Sequence, residues 1–120
     1  MQDLVTVLSN EDGIQIFLDV QQDVVLQIGE AMQEIQEEAY MNGENWAIFF
    51  QYYLEQYAPD LLEGLESDAE AGMYAAYYET ATPENHQKAL QLADLLNALL
   101  AHPEQIYQIL KTTEDEIEWD

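Results

Sequence analysis

Carboxylates are the chemically functional side chains that dominate this sequence. Residues 62–79 read LEGLESDAEAGMYAAYYE and contain five acids, two glycines and three tyrosines. Acids grouped in this way could bind a cation, act as a general acid and base, or contact a basic partner. The spacing of the acids and of the histidines decides among these chemistries.

A calcium loop requires oxygen ligands at fixed positions and a glycine at its sixth position. Asn10, Asp12 and Gly13 match the third, fifth and sixth positions. The first position is then Leu8, which has no ligand oxygen in its side chain, and the twelfth is Asp19 rather than glutamate. The sequence therefore predicts no metal site and no cofactor.

The spacing of histidines, serines and acids along the chain does not indicate a catalytic site. His86 and His102 lie at opposite ends of one predicted helix, about 24 Å apart at a rise of 1.5 Å per residue. Ser9 and Ser67 lie in predicted turns without a histidine near them in sequence. With 25 acids in 120 residues, pairs of carboxylates also arise by chance. We therefore predict that the protein is not an enzyme.

The net charge is the most unusual property of the chain. It has 25 acids against Lys88 and Lys111, which gives a formal charge of −23. Charge of one sign repels itself and lowers stability, and solubility needs a net charge of only about 2 to 8. Three explanations are open: attraction of a basic protein partner, imitation of nucleic acid, or an acidic protein suited to a salt-rich setting. Direct binding to nucleic acid or to an anionic membrane is not expected, because both require Lys and Arg.

The remaining composition favours one folded domain over residues 1–120. Hydrophobic residues make up 48% of the chain, which is ample for a core. There is no cysteine, no signal-peptide pattern and no apolar run long enough to span a membrane, so we expect a cytoplasmic protein. Residues 113–120 form an acidic tail, which either frays or packs on the body through Ile117 and Trp119.

Two β-hairpins and four helices are predicted. The first hairpin joins residues 4–8 to residues 14–20 around a turn rich in polar residues and glycine. Helical spacing of apolar residues follows in residues 23–39 and 45–57, with Asn45 as the cap of the second helix. Thr82 and Pro83 are typical of a helix start, and Pro103 begins a last short helix.

The second hairpin joins residues 62–67 to residues 73–79. Gly72 is expected to adopt positive φ in its turn, with Leu65 and Met73 facing the core. The later strand is apolar or aromatic on both faces, which favours a central strand covered at least partly on both sides. The element order is thus ββαα-ββαα, an α+β fold with a small antiparallel sheet of two hairpins and helices packed on it.

The segment from Trp46 to Tyr77 resembles the immunity protein 51 family of bacterial polymorphic-toxin systems. An aromatic helix and a proline-ended turn precede the run Gly64, Leu65, Glu66, Asp68, Glu70, Ala71, Gly72, Met73 and Tyr74. The resemblance implies a small α+β protein of the bacterial cytoplasm, an antitoxin that binds and blocks a cognate toxin domain without catalysis.

The acidic surface and this resemblance together predict a binding site for a basic toxin. We expect contacts from four acids, called here the acidic turn (Glu63, Glu66, Asp68 and Glu70), with Tyr74 and Tyr78 as aromatic anchors. The alternative function is a nucleic-acid mimic that inhibits a DNA- or RNA-binding protein. Neither the identity of the toxin nor the oligomeric state follows from the sequence.

Overall fold

The computed structural model describes residues 4–113 and 116–119. These residues form four strands and five helices in the order ββαααββαα. The elements are β1 Val5–Asn10, β2 Gly13–Asp19, α1 Asp23–Ile35, α2 Gly43–Tyr57, α3 Pro59–Leu62, β3 Leu65–Ser67, β4 Met73–Tyr78, α4 Pro83–Ala101 and α5 Pro103–Thr112. The predicted α+β class is confirmed, with α3 as an element that the sequence pattern did not predict.

The four strands form one antiparallel sheet in the order β1-β2-β4-β3. Each predicted hairpin is present, and the two are joined because β2 pairs with β4. The register aligns Leu18 with Val5 on one side and with Tyr74 on the other. Strand β4 is therefore central, as predicted from its apolar and aromatic composition.

Helices pack on one face of this sheet, called here the inner face. Phe50 of α2 contacts Tyr74 of β4 edge to face, with 4.9 Å between ring centroids. Helix α4 lies against β1 and β2, and the Asn97 amide oxygen accepts hydrogen bonds from the backbone of Leu4 and Val5. Burial of this face and of the helices' apolar sides supplies the main stabilisation of the fold.

The opposite side of the sheet is called here the open face. Because side chains alternate along a strand, the register assigns every second residue to it. Apart from the end pair Asn10 and Gly13, its members are Thr6, Leu8, Gln15, Phe17, Asp19, Glu66, Met73, Ala75 and Tyr77. All nine are exposed or half-buried, and none belongs to the core cluster or to the apolar residues packed against it.

The open face corrects one expectation about the second hairpin. Met73 was expected to face the core, but it lies on the open face and is 38% exposed. Coverage of β4 is partial on its second side: Tyr74, Ala76 and Tyr78 are buried, whereas Ala75 and Tyr77 are half-buried and Met73 is exposed. Leu65, by contrast, packs against the core as expected.

The segment before β4 also differs from its prediction. Residues 62–67 were expected to form one strand, but α3 includes Leu62 and β3 begins at Leu65. Gly72 does not have positive φ, whereas Gly64, between α3 and β3, has a φ of 81°. In this hairpin segment the left-handed backbone conformation, which favours glycine, occurs at Gly64 before β3 and not at Gly72 after it.

Two helix starts show how local sequence sets the boundaries. The Thr82 hydroxyl accepts a hydrogen bond from the Asn85 amide, so the predicted cap of α4 is confirmed. Helix α2 is capped three residues earlier than predicted, because the side chain of Asn42, and not Asn45, accepts the backbone hydrogen bond. Asn45 instead donates its side-chain amide to the Tyr40 carbonyl oxygen.

The described part of the tail packs on the body of the protein. Ile117 is 7% exposed and belongs to the core cluster. The Trp119 indole donates to the side-chain oxygen of Gln36, whose amide in turn donates to the Leu110 carbonyl oxygen. These two hydrogen bonds connect the tail to the end of α1 and to α5.

Candidate partner-binding site

Backbone hydrogen bonds to β4, to the end of β2 and to the start of α2 hold the loop of the acidic turn. Within the hairpin, the Asp68 amide donates to Ala75 and the Glu70 amide donates to Met73. The Gly72 carbonyl oxygen accepts from Val20, at the end of β2. A loop fixed in this way loses little conformational entropy when a partner binds.

The start of α2 supports the same loop through a glycine. The Gly43 amide donates to the Ala71 carbonyl oxygen at 2.8 Å. A Cβ atom at Gly43 would overlap the carbonyl oxygens of Glu70 and Met73. The backbone of α2 therefore approaches the loop more closely than any other residue type permits.

The four side chains of the acidic turn are exposed. Glu66, Asp68 and Glu70 follow one another along β3 and its loop, while Glu63 lies before β3 on the other side of Gly64. Glu66 pairs with Tyr77 and therefore lies on the open face. The hairpin thus presents a row of carboxylates along one strand and its loop.

Tyr74 and Tyr78, expected as aromatic anchors for a partner, are core residues. Tyr74 is 3% exposed and Tyr78 is fully buried. The Tyr78 hydroxyl donates to the Leu61 carbonyl oxygen at 2.6 Å, which fixes α3 against β4. Burial raises the pKa of Tyr78 to about 12 and raises the pKa of Tyr74 further still. Neither ring is available to a partner in this conformation.

Lys88, one of the two cations of the chain, is used within the fold. Its Nζ donates to the Glu63 carbonyl oxygen at 2.7 Å and lies 5.2 Å from the centroid of the Tyr78 ring. A lysine over an aromatic face gains a cation–π attraction. These contacts connect α4 to the segment between α3 and β3. They therefore fix the backbone of Glu63, the first residue of the acidic turn.

The aromatic residue that the sequence analysis missed is Tyr77. It is half-buried on the open face, next to Gln15 of β2 and Glu66 of β3. The alternation of residues 73–78 places Tyr77 on one side of the strand and Tyr74 and Tyr78 on the other. If helices cover only one side, either Tyr77 or the other two tyrosines must face away from them. Choosing between the sets required knowledge of which face the helices cover.

Neither a metal-binding group of side chains nor a membrane-spanning helix is found among the described residues. Within residues 4–113 and 116–119, no three His, Cys, Asp or Glu side chains are grouped so that they could hold a metal ion. In the same part of the chain, no helix is both long and apolar enough to cross a membrane. His102 Nδ1 lies 3.6 Å from a carboxylate oxygen of Glu104, at the exposed junction of α4 and α5.

The fold and the exposed carboxylates define a small two-layer α+β protein with a strongly acidic sequence. Residues 5–115 match the family model of immunity protein 51, and the chain belongs to this family. The match extends over nearly the whole chain, well beyond the segment whose motif resembles the family. No curated protein and no solved structure shows significant similarity to the chain.

Proposed function

We propose that this protein binds a cognate toxin domain through a basic surface of that toxin and neutralises it without catalysis. The observation behind the proposal is the net charge of −23 in a chain of an immunity protein family. Opposite charge on two proteins accelerates their encounter and favours the correct relative orientation. A basic toxin is therefore the partner that this chain is best suited to bind.

The acidic turn is the proposed contact. Its carboxylates are exposed, and hydrogen bonds from Gly43 and Val20 hold its loop. Lys88 donates its hydrogen bond to the backbone carbonyl oxygen of Glu63. The Glu63 carboxylate is not used in that hydrogen bond and can contact a partner. Carboxylates placed on a fixed backbone can pair with Lys or Arg of the toxin at a small entropic cost.

The test is binding to the toxin domain encoded beside the gene, measured by calorimetry at low and at moderate salt. The triple variant Glu66→Gln, Asp68→Asn, Glu70→Gln should bind at least about tenfold more weakly, because each lost charge pair at an interface is worth about 1 kcal/mol or more. Its melting temperature should stay at or above that of the wild type. Co-expression should show a matching loss of protection against the toxin.

The matched control removes three acids from the exposed side of α1 and its C-terminal end. Glu30→Gln, Glu34→Gln, Glu37→Gln changes the net charge by the same amount. If both triple variants weaken binding equally, the charge acts only at long range and the acidic turn is not the contact. Failure of the wild-type protein to bind the toxin domain at low salt would reject the proposed function itself.

A further inference from the structure

The open face of the sheet is a surface whose residues lie outside the core cluster. The register places Phe17 of β2 with Ala75 and Tyr77 of β4 on its two central strands, and Met73 at one end. Leu8 lies at the β1 edge, and Gln15 separates it from Tyr77. Leu8 is 54% exposed and Met73 is 38% exposed. Apolar residues exposed together on one surface and bordered by polar residues are typical of an interaction site.

Acids border this apolar centre. Asp19 is paired with Met73 at one end of β2, and Glu66 is paired with Tyr77 at the β3 edge. Both carboxylates are exposed. An apolar and aromatic centre with a charged, solvent-accessible rim is the usual anatomy of a protein–protein interface.

The chain's two cations are located elsewhere. Lys88 contacts the ring of Tyr78, which belongs to the inner face, and Lys111 lies in α5. The open face therefore has acids on its rim and no cation among its nine members. This charge distribution selects a partner whose contacting surface combines apolar side chains with Lys or Arg.

We infer that the open face is the surface on which the toxin domain docks, an inference that rests on the proposed function. Apolar side chains of the toxin cover the centre of the face, and its basic residues pair with Asp19 and Glu66. Arginine is favoured near Phe17 and Tyr77, which are half-buried, because a guanidinium stacks on accessible aromatic faces as well as pairing with carboxylates. The acidic turn then extends the contact beyond the β3 edge of the sheet.

A second copy of this chain is a poor occupant of the same face. Two copies would each bring a charge of −23 and the same acidic rim. Acids facing acids across an interface cost several kcal/mol unless cations separate them. The toxin, with the opposite charge, fits the surface better than a self-associating partner does.

The test places a lysine on the open face and compares it with a lysine elsewhere. Leu8→Lys and Met73→Lys each put a cation beside the apolar centre, where it repels a basic partner. Leu90→Lys on α4 and Leu26→Lys on α1 are the matched controls, since these leucines are 46% and 43% exposed and give the same change in charge. Leu8 lies about 14 Å from Glu66 across the sheet, from strand spacings of about 4.8 Å, so the result for Leu8→Lys does not depend on the acidic turn. Met73 is bridged to Glu70, so Met73→Lys tests the open face together with the adjoining acidic turn.

Binding of each variant to the toxin domain encoded beside the gene is measured by calorimetry, with a thermal melt of each variant alone. We expect both open-face variants to lose at least about tenfold in affinity, with the controls within about threefold of wild type. Wild-type binding with equal affinities for open-face and control variants would overturn the inference and leave the proposed function intact.

Two further outcomes separate the remaining explanations. Absence of wild-type binding would reject the proposed function, and the docking surface with it. Sedimentation of the wild type as a dimer that Leu8→Lys converts to a monomer would assign the open face to self-association and so also overturn the inference. A variant whose melt shows that it is unfolded is replaced by Leu8→Gln or Met73→Gln, which remove the apolar contact without adding a charge.

Discussion

Tyr78 illustrates how one side chain has a structural role where the sequence suggested a binding role. Its ring is fully buried, its hydroxyl donates to the Leu61 carbonyl oxygen, and Lys88 lies over its ring. A buried hydroxyl with a short hydrogen bond to the backbone stays protonated, because the phenolate would be desolvated there. Burial raises its pKa to about 12 for this reason.

The raised pKa predicts an alkaline loss of stability. The unfolded chain releases the tyrosine proton near pH 10, while the folded chain holds it until about pH 12. Between these values the folded state binds more protons, so the free energy of unfolding falls as pH rises. Urea unfolding from pH 9 to pH 12 should show this fall, and the slope should be smaller in Tyr78→Phe.

The same variant has an expected cost at neutral pH. Tyr78→Phe leaves the Leu61 carbonyl oxygen without its hydroxyl donor, which should lower the free energy of unfolding by about 1–3 kcal/mol. Tyr57→Phe is the control, because Tyr57 is 64% exposed. An alkaline slope in Tyr78→Phe equal to that of wild type would assign the effect to other tyrosines, of which Tyr74 is the first candidate.

At the scale of elements, the fold depends on the contact between the start of α2 and the loop from β3 to β4. Gly43 connects them through its amide hydrogen bond to Ala71 and through the absence of a side chain. The glycine at this position permits backbone atoms of the two elements to come into contact.

Gly43→Ala should therefore be costly. Its Cβ would overlap carbonyl oxygens of Glu70 and Met73, which belong to the backbone and cannot rotate away. We expect a loss of about 1–3 kcal/mol in the free energy of unfolding, measured by urea denaturation. Gly72→Ala is the matched control. Gly72 lies in the loop that Gly43 contacts, and a Cβ there would meet only the flexible end of the Gln21 side chain, at 3.2 Å. Equal stability of Gly43→Ala and wild type would contradict the close approach.

At the scale of the whole molecule, charge repulsion is the dominant electrostatic property. A formal charge of −23 is spread over a chain with two cations, one of which contacts a carbonyl oxygen. Salt shortens the range of such repulsion, from about 30 Å at 0.01 M to about 3 Å at 1 M. Stability and toxin binding should therefore respond to salt in opposite directions.

The melting temperature is expected to rise when sodium chloride is increased from 0.01 M to 0.5 M, because screening relieves repulsion mainly in the compact folded state. The triple variant Glu30→Gln, Glu34→Gln, Glu37→Gln should start from a higher melting temperature and gain less from salt. A melting temperature independent of salt would show that self-repulsion does not limit stability.

The nucleic-acid-mimic and salt-rich-setting hypotheses remain predictions beside the proposed function.

Much of the fold was predictable because its signals are local. Alternation in residues 14–20 indicated β2, and Thr82 with Pro83 indicated the start of α4. The family was also predictable, since its motif lies in one continuous segment, and the family match over residues 5–115 confirmed it. The short helix Pro59–Leu62 was missed, because a single turn has too few residues to show a helical period.

The sequence by itself determined the charge, the α+β class, the hairpins and the family. Only the tertiary structure decided which residues of β4 are buried, because a strand with apolar residues on both sides can turn either side toward the helices. Packing of α2 and α4 on one side buried Tyr74 and Tyr78 and left Met73, Ala75 and Tyr77 on the open face. Burial depends on what lies opposite a side chain, and that neighbour is distant in the sequence.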